Sequence, residues 1–166
     1  GFRVLPGRQD RRGVLDVRYI RGGLGLTIVG AGTSVHPTSP ASAYSLICNH
    51  DDSVISQYQR LARAIHDHGA AVFTQLTHMG RRSVSDTGDW KPLLAPSGIP
   101  EPYHREVPHA MEVEDIQMIV RAFGQAARRC KAGGLDGIEI LAGWNHLIDQ
   151  FWSPRSNQRT DPYGGS

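Results

Sequence analysis

Apolar positions along the chain fall into two alternating rhythms. From Gly25 to Val29 the run Gly-Leu-Thr-Ile-Val is short, apolar and β-branched, and it ends at Gly30-Ala31-Gly32. This predicts a buried strand entering a loop that continues past Pro37 and Pro40. Next, Val54, Ile55, Tyr58, Leu61, Ala62 and Ile65 recur at helical spacing behind Asp52 as N-cap, and Gly69 closes the helix. Ala71 to Leu76 follows as a second buried strand. The unit then repeats: Ile116, Ile119, Val120, Phe123, Ala126, Ala127 and Cys130 form a helical stripe, Gly133-Gly134 ends it, and Leu135 to Ile140 reads as a third strand.

Strand, helix and strand joined by short connections predict parallel pairing and an α/β fold. The connections are uneven. A long polar stretch, Thr77 to Met111, separates the second strand from the second helix, and Ala142 to Ser166 is irregular after the third. Long loops at the C-terminal ends of strands are where α/β barrels carry their chemistry. Ser166 behind two glycines reads as an N-cap whose helix would lie beyond it.

With 166 residues the chain has the length of about one domain, and a complete (β/α)₈ barrel needs roughly 250. Its 18 basic and 16 acidic residues are interspersed, so charge points to no nucleic-acid arm. No apolar run is long enough for a membrane helix, and the opening residues lack a signal-peptide core. The two cysteines, Cys48 and Cys130, have no metal or redox spacing and read as buried small hydrophobes, which fits a reducing, cytoplasmic setting.

Several chemistries fail on spacing. Gly30-Ala31-Gly32 lacks the third glycine of a dinucleotide loop, and His36-Pro37 stands where that motif's helix would start. His66 and His68 diverge on a helix end and read as solvated side chains, so no metal site is expected. No G-x-S-x-G elbow exists. What remains is a set of polar residues at strand ends: Gln75, His78 and Arg81 after the second strand, and Trp144, Asn145 and His146 after the third. In a barrel these converge on one face. The Gln75 amide, which donates and accepts at once, suits the edge of a heterocycle, or else satisfies loop backbone.

The segments Gly32 to Pro37, Gln75 to Arg81, Ala95-Pro96-Ser97, Glu114-Asp115-Ile116, Asp149 to Pro154, Asn157, Arg159-Thr160-Asp161 and Tyr163 to Ser166, in that order, resemble the old yellow enzyme, or NADH:flavin oxidoreductase, family. The resemblance covers residues 23–166 and leaves 1–22 as a poorly matching segment. It implies the early units of a (β/α)₈ TIM barrel that holds FMN at the C-terminal ends of its strands. FMN would be reduced by NADH or NADPH and reoxidised by a small organic molecule such as an activated alkene. By position, Gly32 matches the residue whose backbone lies against the flavin, and Gln75 matches the amide on its pyrimidine edge. The family's phosphate-binding loops belong to its last strands, beyond this chain.

Where the alkene-reducing branch has a histidine pair and then a tyrosine, this chain has Leu141, Trp144 and His146. His146 at the tyrosine's place reads as the proton donor, since imidazole titrates near neutral pH. Leu141 and Trp144 stand on the substrate side. An indole face attracts an amine cation, so oxidative N-demethylation of a methylated amine is the alternative reaction, with plain packing at the barrel rim as the plainer role for Trp144. A non-catalytic barrel portion needing a complementing chain or a homo-oligomer is the alternative of another class.

Overall fold

The computed structural model describes residues 22–39, 47–87 and 90–165. The segment 1–22, but for its last residue, and the expected cap at Ser166 lie outside them.

Four parallel strands form one sheet in the order β2-β1-β3-β6: β1 is Leu26–Ser34, β2 Ile47–Cys48, β3 Ala71–Thr77 and β6 Gly137–Ile140. Helix α1, Ile55–His66, connects β2 to β3, and α2, Val113–Ala132, precedes β6. This is the strand and helix order of the early part of a (β/α)₈ barrel. Between β3 and α2 a small parallel ribbon, β4 (Leu94–Ala95) with β5 (His109–Ala110), organises what the sequence presents as loop. A short helix α3, Leu147–Trp152, does the same after β6.

The alternation along β3 shows how the sheet is used. Val72, Thr74 and Leu76 are fully buried, whereas Ala71, Phe73 and Gln75 are half-buried. The first face packs on Tyr58, Ala62 and Ile65 of α1 and on Ala126 and Cys130 of α2, forming the main core with Val29 and Leu135. The opposite, inner face carries Leu26 and Ile28, level with Ala71 and Phe73 and both exposed. Gly137 lies level with Phe73, and a Cβ there would stand 2.5 Å from the ring, so glycine makes room for it. A second core of Leu94, Met111, Ile116, Ile119 and Leu147 joins the ribbon, α2 and α3 at the strands' C-terminal end.

Two boundaries differ from expectation. The first strand runs on through Gly30-Ala31-Gly32 to Ser34 instead of stopping at Val29. The cap before α1 is Asp51, not Asp52: its carboxylate accepts from Ser53 N at 2.9 Å ahead of a 3-10 turn over Asp52–Val54. Asp52 instead pairs with Arg128 and Arg129 of α2. His66 is exposed yet bonded, 2.8 Å from Asp136, which also accepts from Val72 N and so ties the end of α1 to the start of β3. Cys130 is buried as expected, Cys48 half-buried, and both are free thiols.

Candidate active site

Beside Gln75 the β1 ladder is interrupted. Val29 is level with Thr74 and Thr33 with Leu76, so residues 30–32 stand opposite Gln75 alone. A bulge of this kind needs a residue at home in positive φ, and Gly32 supplies it at +79°. On its other flank Gln75 is level with Glu139, and residues level in a parallel pair project to one face. The Gln75 Nε2 donates to Glu139 Oε1. The amide therefore answers to a side chain on the inner face, not to loop backbone. Bulge, amide and carboxylate form one polar row across three strands, at the end of an apolar face.

Two residues beyond Gln75, Thr77 ends β3 on the same face, and its hydroxyl lies 2.6 Å from His146 Nδ1. This places His146 over the mouth on the side of Gln75. His146 precedes α3 in extended backbone and is 7% exposed. Burial, reinforced by the Arg82 guanidinium and opposed by Asp149, lowers its pKa to about 4. The near-neutral titration expected from the sequence is thus corrected: the imidazole is uncharged at pH 7, because its environment withholds the water that would solvate a cation.

Trp144 and Asn145 both adopt left-handed backbone, with φ of +59° and +58°. Such non-glycine residues each cost about 1–2 kcal/mol. The strain is held by Asp149, which accepts from Asn145 N at 2.7 Å, and by Gln150, which donates to Asn145 O at 2.6 Å. One result is an indole 80% exposed. Leu141 is half-buried and bonds through its backbone to Leu76 O, extending the β3–β6 pairing into the mouth.

Gln150 also accepts from Arg81 N and donates to Met79 O, so one buried amide joins the loops after β3 and β6. Arg81, named with His78 in the sequence's polar set, donates to Ile99 O at 3.0 Å and reaches Asn145 Oδ1 at 3.5 Å. His78 is fully buried. Its Nδ1 accepts from Gly80 N, so its Nε2 donates to Thr38 Oγ1 at 2.9 Å, and Thr38 in turn contacts His36 Nδ1. Burial first, then neighbouring His36, lowers the His78 pKa to about 3. His78 and Arg81 thus brace the mouth from behind. The terminal motif does likewise: Arg159 bonds Pro96 O, Met111 O and Asp161, clamping the ribbon.

Thr77 and Glu139 are the site residues that the sequence pattern does not single out. A signal for Glu139 exists: it is a charge inside the otherwise apolar strand Gly-Ile-Glu-Ile, just as Gln75 is an amide inside its own strand. Among the described residues no group of three or more His, Cys, Asp and Glu converges as a metal site, and no helix is long and apolar enough to cross a membrane.

The row fits the ring end of FMN. A flat ring needs backbone without side chains close by, and Gly30 and Gly32 provide it; even an added Cβ at Gly30 would meet only Ile28 O, at 3.8 Å. Its polar rim needs a donor and an acceptor together, which Gln75 has. Gly32, through backbone, and Gln75 would be the residues to hold it.

Comparison with known proteins agrees. The profile of the NADH:flavin oxidoreductase / NADH oxidase family matches residues 12–166. The chain is 47% identical over 161 residues to an N,N-dimethylglycine/sarcosine dehydrogenase of Chromohalobacter salexigens, covering 93% of this chain and 23% of that protein. It is 47% identical over 146 residues to a multifunctional alkene reductase/demethylase of Caballeronia cordobensis, covering 88% and 21%. The chain therefore spans under a quarter of the length of these relatives. Among solved structures it resembles morphinone reductase, with a TM-score of 0.81 and 29% identity over 93% of this chain and 45% of that one.

Proposed function

Because the chain belongs to the NADH:flavin oxidoreductase / NADH oxidase family, we propose that the protein is an FMN-dependent oxidoreductase in which NADH or NADPH is the reductant and a small organic molecule, such as an activated alkene, the acceptor. The observation that carries this reading is the row formed by the Gly30–Gly32 bulge, Gln75 and Glu139 beneath His146. Bound FMN supplies two-electron hydride chemistry, and the protein supplies position and proton handling.

In this reading Gly32 lets backbone approach the ring and Gln75 reads its polar rim. Thr77 holds His146 by Nδ1, which leaves Nε2 for the substrate. When the Thr77 hydroxyl donates to Nδ1, Nε2 carries the proton and donates to a substrate oxygen. The lowered pKa keeps that imidazole neutral, so it acts as an oriented donor and not as a standing cation. Leu141, in the family's histidine place, lends the substrate an apolar contact. The exposed Leu26, Ile28 and Ile140 are, on this reading, covered by further barrel strands or a second copy of the chain.

Trp144 favours a second reading. Its indole, exposed at the mouth, offers a face to an amine cation, a contact of about 0.5–2 kcal/mol. Oxidative N-demethylation would then take hydride from the N-methyl carbon of that amine. Two of the relatives bear names of this kind, the dimethylglycine/sarcosine dehydrogenase and the alkene reductase/demethylase.

The test is spectroscopic. The purified protein should show flavin absorption with stoichiometric FMN and bleach when NADH is added without oxygen; a colourless protein refutes the assignment in favour of a non-catalytic barrel portion. Turnover of a cyclic enone against an N-methylated amine separates the two reactions. His146→Phe should slow the productive one by about 100-fold or more, and unchanged turnover removes His146 from the chemistry.

A further inference from the structure

A glutamine amide at a cofactor's rim carries an ambiguity. Its terminal torsion has two nearly equivalent settings, which exchange the carbonyl oxygen and the NH₂ group. A free Gln75 would present an acceptor in one setting and a donor in the other. Glu139 removes the choice. A carboxylate offers acceptors only, so the end of the amide turned to it must be Nε2, as it is in the Gln75 to Glu139 bond. Oε1 and the second N–H are left for whatever lies on the inner face.

The two residues are level across the β3–β6 pair, and the pairs Phe73–Gly137 and Leu76–Ile140 fix the same register on either side. The contact is thus built into the sheet and does not depend on a mobile loop. A plain interstrand pair would be served equally by a lysine opposite a glutamate; a neutral amide facing the carboxylate leaves polar atoms over that a ladder does not need.

We propose that Glu139 is a positioning residue, which holds the Gln75 amide with its carbonyl oxygen presented to the N–H of the flavin pyrimidine edge. This rests on the reading of Gln75 as a cofactor contact. That edge has a single N–H, N3, between two carbonyl oxygens. The fixed amide accepts from N3 and donates its remaining N–H to a neighbouring carbonyl; the flipped amide would set NH₂ against N–H and carbonyl against carbonyl.

The experiment is a double-mutant cycle on FMN dissociation constants, read by flavin fluorescence, for wild type, Gln75→Ala, Glu139→Ala and the double variant. Glu139→Gln runs in parallel as an isosteric change that keeps the fold. Each alanine change should weaken FMN binding about tenfold. The double variant should be within about twofold of Gln75→Ala, because without the amide the carboxylate has nothing to orient. Glu139→Gln, which can bond either end of the amide, should weaken binding about threefold, and less when Gln75 is alanine. With ¹⁵N-labelled FMN, the N3 resonance should move in Glu139→Gln as it moves in Gln75→Ala. Independent effects that multiply in the double variant, or a Glu139 change with no effect on FMN where Gln75→Ala has one, overturn the proposal alone. If Gln75→Ala leaves FMN binding intact, the cofactor reading of Gln75 falls, and this inference with it.

Discussion

At Gly137 a single hydrogen in place of a methyl group decides how the inner face packs. Phe73 lies level with it on the next strand, and an added Cβ would sit within 2.7 Å of three ring carbons. The ring would have to leave its rotamer or the strands would have to part. Gly137→Ala should therefore destabilise the protein by about 1–3 kcal/mol in urea unfolding. Phe73→Leu in the same chain should recover part of that loss, since a smaller side chain vacates the contested space. Equal stability of the wild type and the Gly137→Ala variant would show that the ring is not seated over the glycine.

The connection between elements depends on Gln150 more than on any ion pair. Its buried amide holds Met79 O, Asn145 O and Arg81 N, and a Cβ at Gly80 would strike it at 2.4 Å. Gln150→Leu keeps the volume and strands three backbone groups, at about 1–3 kcal/mol for each one that water cannot reach. The loss should exceed about 3 kcal/mol, and limited proteolysis should cut first near residues 144–146, where left-handed backbone loses its clamp. If the variant resists both urea and protease as the wild type does, the loops are held by something else. Long periodic elements were legible in the sequence: α1, α2 and β3 sit where apolar spacing puts them. The continuation of β1 was not, because Gly-Ala-Gly reads as a loop when no partner strand is in view. Helix α3 was not either, since six residues give too few turns for a period to show. The meeting of Thr77 with His146 links positions 69 apart and leaves no local trace, while Gln75 stood out because an amide interrupts an apolar run.

Over the molecule as a whole, buried imidazoles set the acid limit. Burial is the first cause that lowers His50 and His146 to about 4 and His78 to about 3, and it lowers His36 too. In the unfolded chain each binds its proton near pH 6.5. Between pH 6.5 and 4 the unfolded state therefore holds protons that the folded state refuses, and stability falls as the medium is acidified through that window. Their contribution is complete above pH 6.5, and the decline levels off below the folded values. A fully shifted histidine adds a slope of up to about 1.4 kcal/mol per pH unit, and half-buried His36 adds less. Carboxylates such as Asp136, lowered by its bond to His66 and then by Val72 N, act in the same sense but only from below about pH 4. Urea midpoints taken at half-unit steps from pH 7.5 to 4 should drop through the histidine window; a level profile would mean that these rings protonate freely in the folded protein.

The three residues that face Gln75 from β1 also act as a phase setter for everything downstream. In an extended chain each residue reverses the side, so removing any one of 30–32, with the shortened stretch drawn straight and no smaller bulge left, would turn the rest of the strand over. Thr33 would swap its place above α1 for the mouth, and Ser34 would leave the mouth, where it meets His50, for the core. Core and mouth would then be exchanged by one deletion. The tripeptide is in this sense a spacer whose length matters more than the identity of its middle letter.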